Sequence, residues 1–427
     1  MAFNPQLHAQ VSFAPPATYF AGNGGAGQIV AADVNNDGKL DLICPNGNGN
    51  SVTVLTNSGN GVFGFNGTYP VGIYPISVAV ADVNGDSNLD LIVANWESSP
   101  PILTVLTNNG TGNFGSNATL TVADHPVSVV AADVNGDGKM DLICADYGPY
   151  GIDNRLSIFT NNGTGGFKLE ANLTTAGEGA ACVVAADVNG DGKMDLICAD
   201  AVGGPPYLSV LTNNGTGYFP NVATYPVPRE PYVFIAADLN GDGKVDLISA
   251  NTLDDTLTIL TNNGTGIFGS NATLNVTGRP GSVCAADVNG DGKLDLIVAD
   301  SWTNTLTIFT NDGSGGFVFC CSPHATTNSW VTAADVNGDG KPDLICNDIN
   351  SSSISVLISV PTLTSTFSSN NLILSWPSSW TNWTLLQNPD LTTTNWTTSA
   401  GIVNDNTNKS LTITPSTGNL FLRLFHP

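Results

Sequence analysis

Basic residues are scarce in this sequence. The 427-residue chain has only 12 lysines and arginines against 36 aspartates and glutamates, which gives a formal net charge of −24. Proteins that bind nucleic acids need a basic surface to neutralise phosphates, so this composition argues against a nucleic-acid partner. Charged residues make up only 11% of the chain, whereas Gly, Asn, Thr and Ser are abundant. The profile favours short strands and tight turns over helices.

Long hydrophobic runs are also missing. No apolar stretch reaches the length of about 18 residues that a membrane-spanning helix needs, so we expect no membrane span. The first residues, MAFNPQLHAQVSFAPP, lack the basic and apolar regions of a signal peptide, and none is predicted within this sequence.

Recognisable catalytic motifs are absent too. The four histidines fall in separate regions of the chain, at His8, His125, His324 and His426. The sequence contains no GxSxG, HExxH or CxxC motif, so no nucleophile, zinc or redox centre is indicated. We therefore expect a protein that is not an enzyme.

Cysteine is sparse, with eight residues in a chain of this length, which does not suit a disulfide-stapled fold. Four cysteines share one repeat position with Val and Ser, at Cys44, Cys144, Cys198 and Cys346. This exchange favours small buried side chains. A bridge from Cys182 to Cys198 is the open alternative, and the adjacent Cys320 and Cys321 have no assigned partners.

An internal repeat dominates the sequence. The sixteen residues AADVNGDGKMDLICAD occur twice without change, at 131–146 and 185–200. Versions of the frame DVNGDGKxD occur seven times, with starts 49, 51, 54, 51, 49 and 48 residues apart, at Asp33, Asp82, Asp133, Asp187, Asp238, Asp287 and Asp335. A period of about fifty residues is typical of a β-propeller or a solenoid.

Each nine-residue frame has the opening of an EF-hand-type calcium loop. In the third repeat, positions one, three, five and nine are Asp133, Asn135, Asp137 and Asp141, and position six is Gly138. Alternate side chains then point at a single ion, while the glycine permits the sharp turn. The seven frames hold 21 of the 36 acidic residues, and seven Ca²⁺ would reduce the net charge to about −10. An acidic solvated surface is the alternative, but it would not space its carboxylates regularly.

Each repeat is predicted to contain four short strands. In residues 127–175, VSVVAAD and MDLICAD flank the acidic loop, LSIFT alternates as a third strand, and FKLEANLTT follows an Asn-Gly hairpin. Seven such units predict an all-β fold, a seven-bladed β-propeller with four-stranded blades over residues 1–360. The seventh repeat supplies only three strands, so the N-terminal stretch VSFAPPATYFAGN is predicted to add the fourth and close the ring.

These residues match a known family. The pattern of GxF, a strand and then DVNGDGKxDL resembles the FG-GAP or VCBS repeats of integrin alpha-subunit propellers and many bacterial secreted proteins. The resemblance implies a structural Ca²⁺ in the loop between the first two strands of each blade, about seven in all. The lysine of each loop, or Asn88 in the second, would offer its backbone carbonyl. The implied ligands are Asp33, Asn35, Asp37, Lys39, Asp41; Asp82, Asn84, Asp86, Asn88, Asp90; Asp133, Asn135, Asp137, Lys139, Asp141; Asp187, Asn189, Asp191, Lys193, Asp195; Asp238, Asn240, Asp242, Lys244, Asp246; Asp287, Asn289, Asp291, Lys293, Asp295; Asp335, Asn337, Asp339, Lys341 and Asp343.

The second repeat departs from the frame, because Ser87 replaces the glycine at position six and Asn88 replaces the lysine. A residue other than glycine at positive φ costs on the order of 1 kcal/mol. We therefore expect the weakest calcium site in this repeat.

Residues 361–427 differ in character. The acidic frame disappears and tryptophan becomes dense, in LILSWPSSWTNWTLLQ and TTNWTT. Short alternating runs predict a small β-sandwich, and the ending NLFLRLFHP resembles C-terminal modules of some bacterial exported proteins. The tryptophans are interpreted as core residues, with a sugar-stacking platform as the alternative, at Trp376, Trp380, Trp383 and Trp396.

Recognition is the leading functional prediction, as adhesion to a glycan or an extracellular protein. The calcium frames indicate an extracellular or cell-surface location. The turns between second and third strands and the connections between blades share the face opposite the calcium loops, and they vary most between repeats. Their candidate binding residues are Trp96, Tyr147, Tyr150, Tyr207, Arg229, Tyr232, Trp302 and Trp330.

Two other functions stay open. A subunit of an extracellular fibre or surface layer would self-assemble, and a polysaccharide lyase would use the same scaffold for chemistry. Sequons at the tip of the third-to-fourth strand hairpin predict glycosylation, although the hairpin favours Asn-Gly in any case. The candidate sites are Asn109, Asn162, Asn214 and Asn263.

Overall fold

The computed structural model of the protein describes residues 11–22, 27–148, 154–202, 205–325, 328–348, 352–361, 363–368, 371–378, 380, 383–389, 392, 394–406, 408–414 and 420–425. Every helix or strand assigned within these ranges is a β-strand. Seven four-stranded sheets follow one another along the chain, and two further sheets lie after residue 363.

The seven sheets are the blades of the propeller, and successive strands within a blade pair antiparallel. The strands are β1 (Ala17–Phe20); in blade one β2 (Val30–Ala32), β3 (Asp41–Asn46), β4 (Ser51–Asn57), β5 (Phe63–Pro70); in blade two β6 (Pro75–Ala81), β7 (Asp90–Asn95), β8 (Ile102–Asn108), β9 (Phe114–Thr121); in blade three β10 (Pro126–Ala132), β11 (Asp141–Asp146), β12 (Arg155–Asn161), β13 (Phe167–Thr174); in blade four β14 (Glu178–Ala186), β15 (Asp195–Val202), β16 (Tyr207–Thr212), β17 (Asn221–Pro226); in blade five β18 (Val233–Ala237), β19 (Asp246–Asn251), β20 (Thr256–Asn262), β21 (Phe268–Asn275); in blade six β22 (Pro280–Ala286), β23 (Asp295–Asp300), β24 (Thr305–Asn311), β25 (Phe317–Cys321); and in blade seven β26 (Asn328–Ala334), β27 (Asp343–Asp348), β28 (Ser353–Leu357). The predicted seven-bladed all-β propeller is confirmed.

The two ends of the propeller sequence meet in blade seven. Its strand order is β1-β28-β27-β26, so the N-terminal strand is its outermost strand. Ala17 pairs with Val356 and Phe20 pairs with Ser353. The first strand of the chain is therefore hydrogen-bonded to the last strand of the ring.

Apolar residues fill the space between neighbouring blades. On β3, Leu42 packs toward blade seven, in one cluster with Ile345, whereas the next residue, Ile43, packs toward blade two, in one cluster with Leu91. Because both faces of each second strand are buried, its sequence is a continuous apolar run rather than an alternating one. Seven such clusters join the seven pairs of neighbouring blades.

The C-terminal module consists of two small sheets around one apolar cluster. Its strands are β29 (Thr364–Ser368), β30 (Asn371–Pro377), β31 (Thr384–Asn388), β32 (Thr397–Thr398), β33 (Val403–Asn404), β34 (Asn408–Ile413) and β35 (Phe421–Phe425), in the orders β29-β30-β34-β33 and β32-β31-β35. Trp376, Trp380 and Trp383 are all buried, and Arg423 lies 4.3 Å from the ring centre of Trp396. These positions support the core interpretation over a sugar-stacking platform.

The module contacts the ring at the acidic loop of blade seven. The indole N–H of Trp383 donates to Asp339 Oδ2 at 3.4 Å. Lys341 Nζ lies 5.9 Å from the ring centre of Trp380.

Candidate functional site

The seven acidic frames form the turns between the first and second strands of the blades. In blade three, Asp133 accepts the backbone N–H groups of Gly136 and Gly138, each at 2.7 Å. Asn135 and Asp137 each accept the N–H two residues further on, at 2.9 and 3.0 Å. The side-chain oxygens therefore fold the loop around themselves, as Asx turns do.

The carboxylate at position nine is completely buried. In blade three, Asp141 Oδ2 accepts the N–H of Val134 at 3.3 Å, and Oδ1 accepts the N–H of Asn161, on the third strand, at 2.8 Å. Burial raises the pKa of Asp141, the two N–H groups lower it, and the charges of Asp137 and Asp133 raise it further. The pKa of the equivalent residue is raised in every blade, to about 7 in the last two, at Asp41, Asp90, Asp195, Asp246, Asp295 and Asp343.

The side chain of the lysine at position seven makes contacts of its own, in addition to the predicted role of its backbone carbonyl. In five blades its Nζ lies 3.2–3.9 Å from the carboxylate at position five, at Lys39, Lys139, Lys193, Lys244 and Lys293. Its stem covers the hairpin between the third and fourth strands. A Cβ on Gly163 would stand 2.9 Å from Lys139 Cδ, so the hairpin needs glycine there. The sequence analysis did not predict these side-chain contacts.

The donor chemistry of the loops fits Ca²⁺, which takes about six to eight oxygen ligands from carboxylates, amides and carbonyls. A divalent cation would also offset the buried carboxylate at position nine. Within the described ranges, however, no three Asp, Glu, His or Cys side chains are grouped closely enough to hold a metal ion. Calcium at the seven loops therefore stays a prediction.

Position six adopts the predicted backbone conformation. Its φ is 80–84° at the six glycines, for example Gly138, and 69° at Ser87, so the serine takes the strained conformation. Position four of the loop also requires a residue that can adopt a positive φ. Asn36 has a φ of 60° there, where the other repeats have glycine. The sequence analysis did not single out Asn36.

The first Asn of the TNNG hairpin connects neighbouring blades. Asn161 donates to the carbonyl of Val83 in the loop of blade two at 2.8 Å and to that of Met140 at 3.0 Å, and it accepts the N–H of Gly163 at 2.9 Å. Equivalent bonds of 2.6–2.7 Å to the preceding blade come from Asn57, Asn108, Asn213, Asn262 and Asn311. The sequence analysis did not single out these residues. Their presence in six repeats was the available signal, because a tight hairpin itself needs only the following Asn-Gly.

The second Asn of the hairpin is exposed in all four predicted glycosylation sites, Asn109, Asn162, Asn214 and Asn263. Its side-chain oxygen accepts bonds from the Thr two residues on, as in Asn162 with the N–H of Thr164 at 2.8 Å. The sites are accessible, and their glycosylation stays a prediction.

A family profile described as FG-GAP-like repeat matches residues 33–93, 82–144, 135–198, 238–298 and 287–346, more than half of the chain. The chain belongs to the FG-GAP-like repeat family. Each matched segment runs from one acidic loop to the second strand of the next FG-GAP repeat.

Solved structures give the same fold. Two crystal structures described as BBS1N in complex with ARL6DN, one soaked with lead and one with mercury, each contain a chain similar to this one. In both, the TM-score is 0.58 at 11% identity, over 82% of this chain and 97% of the other. Comparison with curated protein sequences gave no significant match. The structural likeness therefore concerns the propeller fold of this FG-GAP protein.

The opposite end of the FG-GAP propeller opens into an axial channel. A cavity of about 580 Å³ is lined by the first strands of blades two to seven, for example at Val283, and by Gln28 and Ile29 just before the first strand of blade one. Four of the predicted binding residues lie on it, Trp96, Tyr147, Tyr232 and Trp330. Tyr232 and Trp330 stand where their inner strands begin, whereas the acidic loops follow the ends of these strands. The four aromatic residues are called the channel mouth below.

Aromatic contacts link parts of the channel mouth. Tyr147 in blade three and Tyr232 at the start of blade five have ring centres 6.5 Å apart. Burial, and then the hydrogen bond with Tyr147, raise the pKa of Tyr232, so Tyr232 is neutral at physiological pH. Trp96 packs edge-on against Tyr74, with ring centres 5.6 Å apart.

The other predicted binding residues lie outside the cavity lining. Arg229 forms an ion pair with Asp254, with Nη2 2.7 Å from Oδ1. Trp302 is 69% exposed and lies under Arg279, whose guanidinium carbon is 4.2 Å from the ring centre. Tyr207 begins β16, away from the channel lining. Tyr150 falls outside the described residues.

Buried polar side chains end the second strands at this end of the ring. Three are amides and three are carboxylates, at Asn46, Asn95, Asp146, Asp200, Asn251 and Asp300. Asp300 Oδ2 accepts the hydroxyl of Thr307 at 2.6 Å, whereas Oδ1 has no hydrogen-bond partner. Burial raises the pKa of Asp300 to about 6. The sequence analysis missed this set, although Asn and Asp exchange regularly at the last position of DLIxAD.

The remaining predictions concern thiols and membrane spans. Cys182 and Cys198 are not joined by a disulfide, so the alternative of a bridge between them is not borne out. Among described residues, no helix is long and apolar enough to cross a membrane. His8 and His426 lie outside the described ranges.

Proposed function

We propose that this protein is a non-catalytic recognition propeller that acts outside the cell, is stabilised by calcium in its FG-GAP loops, and binds a protein partner through the channel mouth. The observation that carries the proposal is the convergence of Trp96, Tyr147, Tyr232 and Trp330 on one cavity. Aromatic and rigid side chains at a concave site are the usual anchors of recognition.

The loop end supports the calcium part of the proposal. Seven equivalent turns supply hard oxygen donors and a buried carboxylate whose pKa is raised. Ca²⁺ sites of extracellular modules bind weakly, with Kd of about 10⁻⁴ to 10⁻³ M, and fill only where calcium is abundant. This requirement favours an extracellular or cell-surface location.

The walls of the channel favour a protein ligand over a glycan. About half of its lining residues are Val, Ile, Ala and Phe of the inner strands, such as the half-buried Val130, Val184 and Ile235. A sugar buried there would leave hydroxyl groups without hydrogen bonds, at a cost of about 1–3 kcal/mol each. The BBS1N structures were solved as a complex with ARL6DN, and their fold similarity is compatible with a protein partner here.

The proposal can be tested on arrays of extracellular protein domains and of glycans, probed with the full chain in millimolar calcium. We expect a signal on at least one protein domain that falls at least tenfold in the double variant Trp96→Leu and Trp330→Leu. Trp302→Leu is the matched control, because Trp302 is exposed on the same end but does not line the cavity.

Three results would contradict the proposal. Protein signals that are equally strong in the double variant would place recognition elsewhere. Signals on glycans alone would favour carbohydrate adhesion, and turnover of a polysaccharide would favour a lyase. Concentration-dependent self-association without any array signal would favour a structural subunit.

A further inference from the structure

We infer that Cys320 and Cys321 form a thiol–disulfide exchange site, which reacts with a small disulfide and is converted into a disulfide between the two adjacent residues. The pair ends β25, the outer strand of blade six, and packs in one cluster with Val11 and Phe13 of the N-terminal segment. This chemistry goes beyond the proposed function and does not involve the channel mouth.

A β-bulge in the outer strand lets the two thiols meet. Phe309 pairs with Phe319 and Ile308 pairs with Cys321, so Cys320 is an extra residue with no opposite residue in β24. Regular alternation would point adjacent side chains to opposite faces of the sheet, and a bulge interrupts this alternation. The thiols of Cys320 and Cys321 are accordingly hydrogen-bonded to each other.

The same bulge holds an asparagine in three other blades. This asparagine donates to a hairpin carbonyl of the next blade at 3.0 Å, from Asn66 to Gly112, from Asn117 to Gly165 and from Asn271 to Gly315. Blade seven, which follows blade six, takes its outer strand from the N-terminus instead of from such a hairpin. There Cys320 accepts the backbone N–H of Val11. A thiol therefore occupies the position of the amide where the ring closes.

These contacts favour the thiolate form of Cys320. The hydrogen bond with Cys321 lowers the pKa of Cys320, burial opposes this shift, and the N–H of Val11 adds to it, so that the pKa is lowered overall. The hydrogen bond with Cys320, and then burial, raise the pKa of Cys321. Burial also raises the pKa of five other cysteines, Cys44, Cys144, Cys182, Cys198 and Cys284. A thiolate beside a protonated thiol is the arrangement of an attacking and a resolving cysteine.

A cavity of about 410 Å³ opens on Cys321. One wall is the N-terminal segment, where the N–H of Ala14 donates to the carbonyl of Ile358 at 2.8 Å. The opposite wall is the turn after β25, where His324 Nδ1 lies 2.9 Å from the carbonyl oxygen of Ala325. Because a carbonyl only accepts, Nδ1 carries the proton, and Nε2 of the neutral ring can accept one. The cavity gives a small molecule access to the thiol pair.

The exchange has two steps. The Cys320 thiolate attacks one sulfur of the small disulfide, which forms a mixed disulfide and releases one thiolate. Cys321 gives its proton to that released thiolate and then attacks Cys320 Sγ, which forms the bond between Cys320 and Cys321 and releases the second thiolate. Water protonates the second thiolate, and the small disulfide gains the two electrons that the cysteine pair loses.

Dithiobis(nitrobenzoate), a disulfide that releases a coloured thiolate, tests the site on the folded full chain. We expect rapid release of about two coloured thiolates per chain. Mass spectrometry of the product should find no attached nitrobenzoate and a loss of two hydrogen atoms, which peptide mapping should place at Cys320 and Cys321. The buried cysteines should react at least about tenfold more slowly. Mapping the unmodified chain keeps the inference testable if a variant does not fold.

Variants separate attack from resolution. Cys320→Ser should slow the reaction by at least about tenfold, whereas Cys284→Ser, at a half-buried cysteine of the same blade, should leave it unchanged. Cys321→Ser keeps a hydroxyl donor, so it should attack at the normal rate but release about one coloured thiolate and retain one nitrobenzoate. Cys321→Ala lacks the donor, so its attack should be slower as well.

Three results would overturn the inference. These are a reaction that requires unfolding, a rapid reaction that persists in Cys320→Ser, and a product of the unmodified chain that keeps the nitrobenzoate. Incubation with cystine checks a natural small disulfide. Loss of two hydrogen atoms at Cys320 and Cys321 would support the site, and an unchanged mass would contradict it.

Discussion

At the loop end of the propeller, seven turns use nearly the same nine residues, whereas at the mouth end the turns change length and composition from blade to blade. The loop end satisfies its own polar groups, so that Asp133 and Asp141 accept five N–H bonds between them. The mouth end exposes aromatic rings to a shared cavity. The repeated end is the one with satisfied polar groups, and the variable end carries the aromatic rings of the proposed recognition site.

The largest effect should come from removing the calcium proposed for the loop end. A site at ten times its Kd stabilises the fold by about 1.4 kcal/mol, so seven sites together contribute on the order of 10 kcal/mol. We expect EGTA to lower the melting temperature by more than about 10 °C. Elemental analysis should find about seven Ca²⁺ per chain, or six if the second loop stays empty. Two or fewer bound ions per chain at equilibrium with millimolar calcium would refute the structural role of calcium.

The next largest effect should separate two adjacent residues of one hairpin. Asn161→Ala removes the bonds to the carbonyls of Val83 and Met140 and should lower the free energy of unfolding by about 2–3 kcal/mol. Asn162→Ala changes an exposed side chain and should cost less than about 0.5 kcal/mol. Urea unfolding of both variants measures the difference. Equal losses would mean that the bond between blades contributes nothing.

A pH-dependent effect is expected at the mouth end. The pKa of Asp300 is raised to about 6 by burial, so its contribution to stability is present below pH 4 and is lost as the pH rises through 6. Asp300→Asn, which places there the amide found at Asn251 in blade five, should stabilise the protein by about 1–3 kcal/mol at pH 8 and hardly at pH 4. Thermal melting at both pH values measures the change. Asn251→Asp is the reverse control and should introduce the same loss at pH 8.

The smallest effect should come from relieving strain in the second loop. Ser87 has a φ of 69°, and the equivalent Gly38 has open space where a Cβ would be. Ser87→Gly should therefore raise the free energy of unfolding by about 1 kcal/mol. Gly138→Ser in the third loop is the reverse control. If neither change alters the midpoint of urea unfolding, the backbone conformation at position six carries no strain.

The sequence repeat allowed the fold to be predicted. The lining of the channel could not be predicted, because it forms only when the ring closes. Period, strand pattern and the missing fourth strand indicated seven blades, because each blade follows from short-range sequence. That Trp96 and Trp330 line one cavity could not be predicted, since the residues are 234 positions apart and share the cavity only when blades two and seven surround one axis. Trp302, like Trp96, is an aromatic residue in a variable turn, but Arg279 of the same chain lies over its ring.

The hydrogen bonds between blades could not be predicted from the sequence, for a related reason. Asn161 and Val83 are separated by 78 residues, and a local pattern shows only that Asn161 precedes an Asn-Gly turn. The same holds for Asp300, whose burial depends on the packing of the connection between blades five and six. The recurrence of Asn at the position of Asn161, and of Asn or Asp at that of Asp300, indicated that these positions matter but did not identify their partners.

The central claim is that the loop end stabilises the fold whereas the mouth end binds the partner. One paired measurement tests this claim most directly. Calcium content, melting temperature and binding to the array-selected protein domain are measured for Asp137→Ala at the loop end and for Trp96→Leu with Trp330→Leu at the mouth end. The account predicts that the loop variant loses one Ca²⁺ and melts lower but binds normally in the cold, and that the mouth variant keeps its calcium and melting temperature but loses binding at least tenfold. A loop variant that loses binding while folded, together with a mouth variant that binds normally, would contradict it.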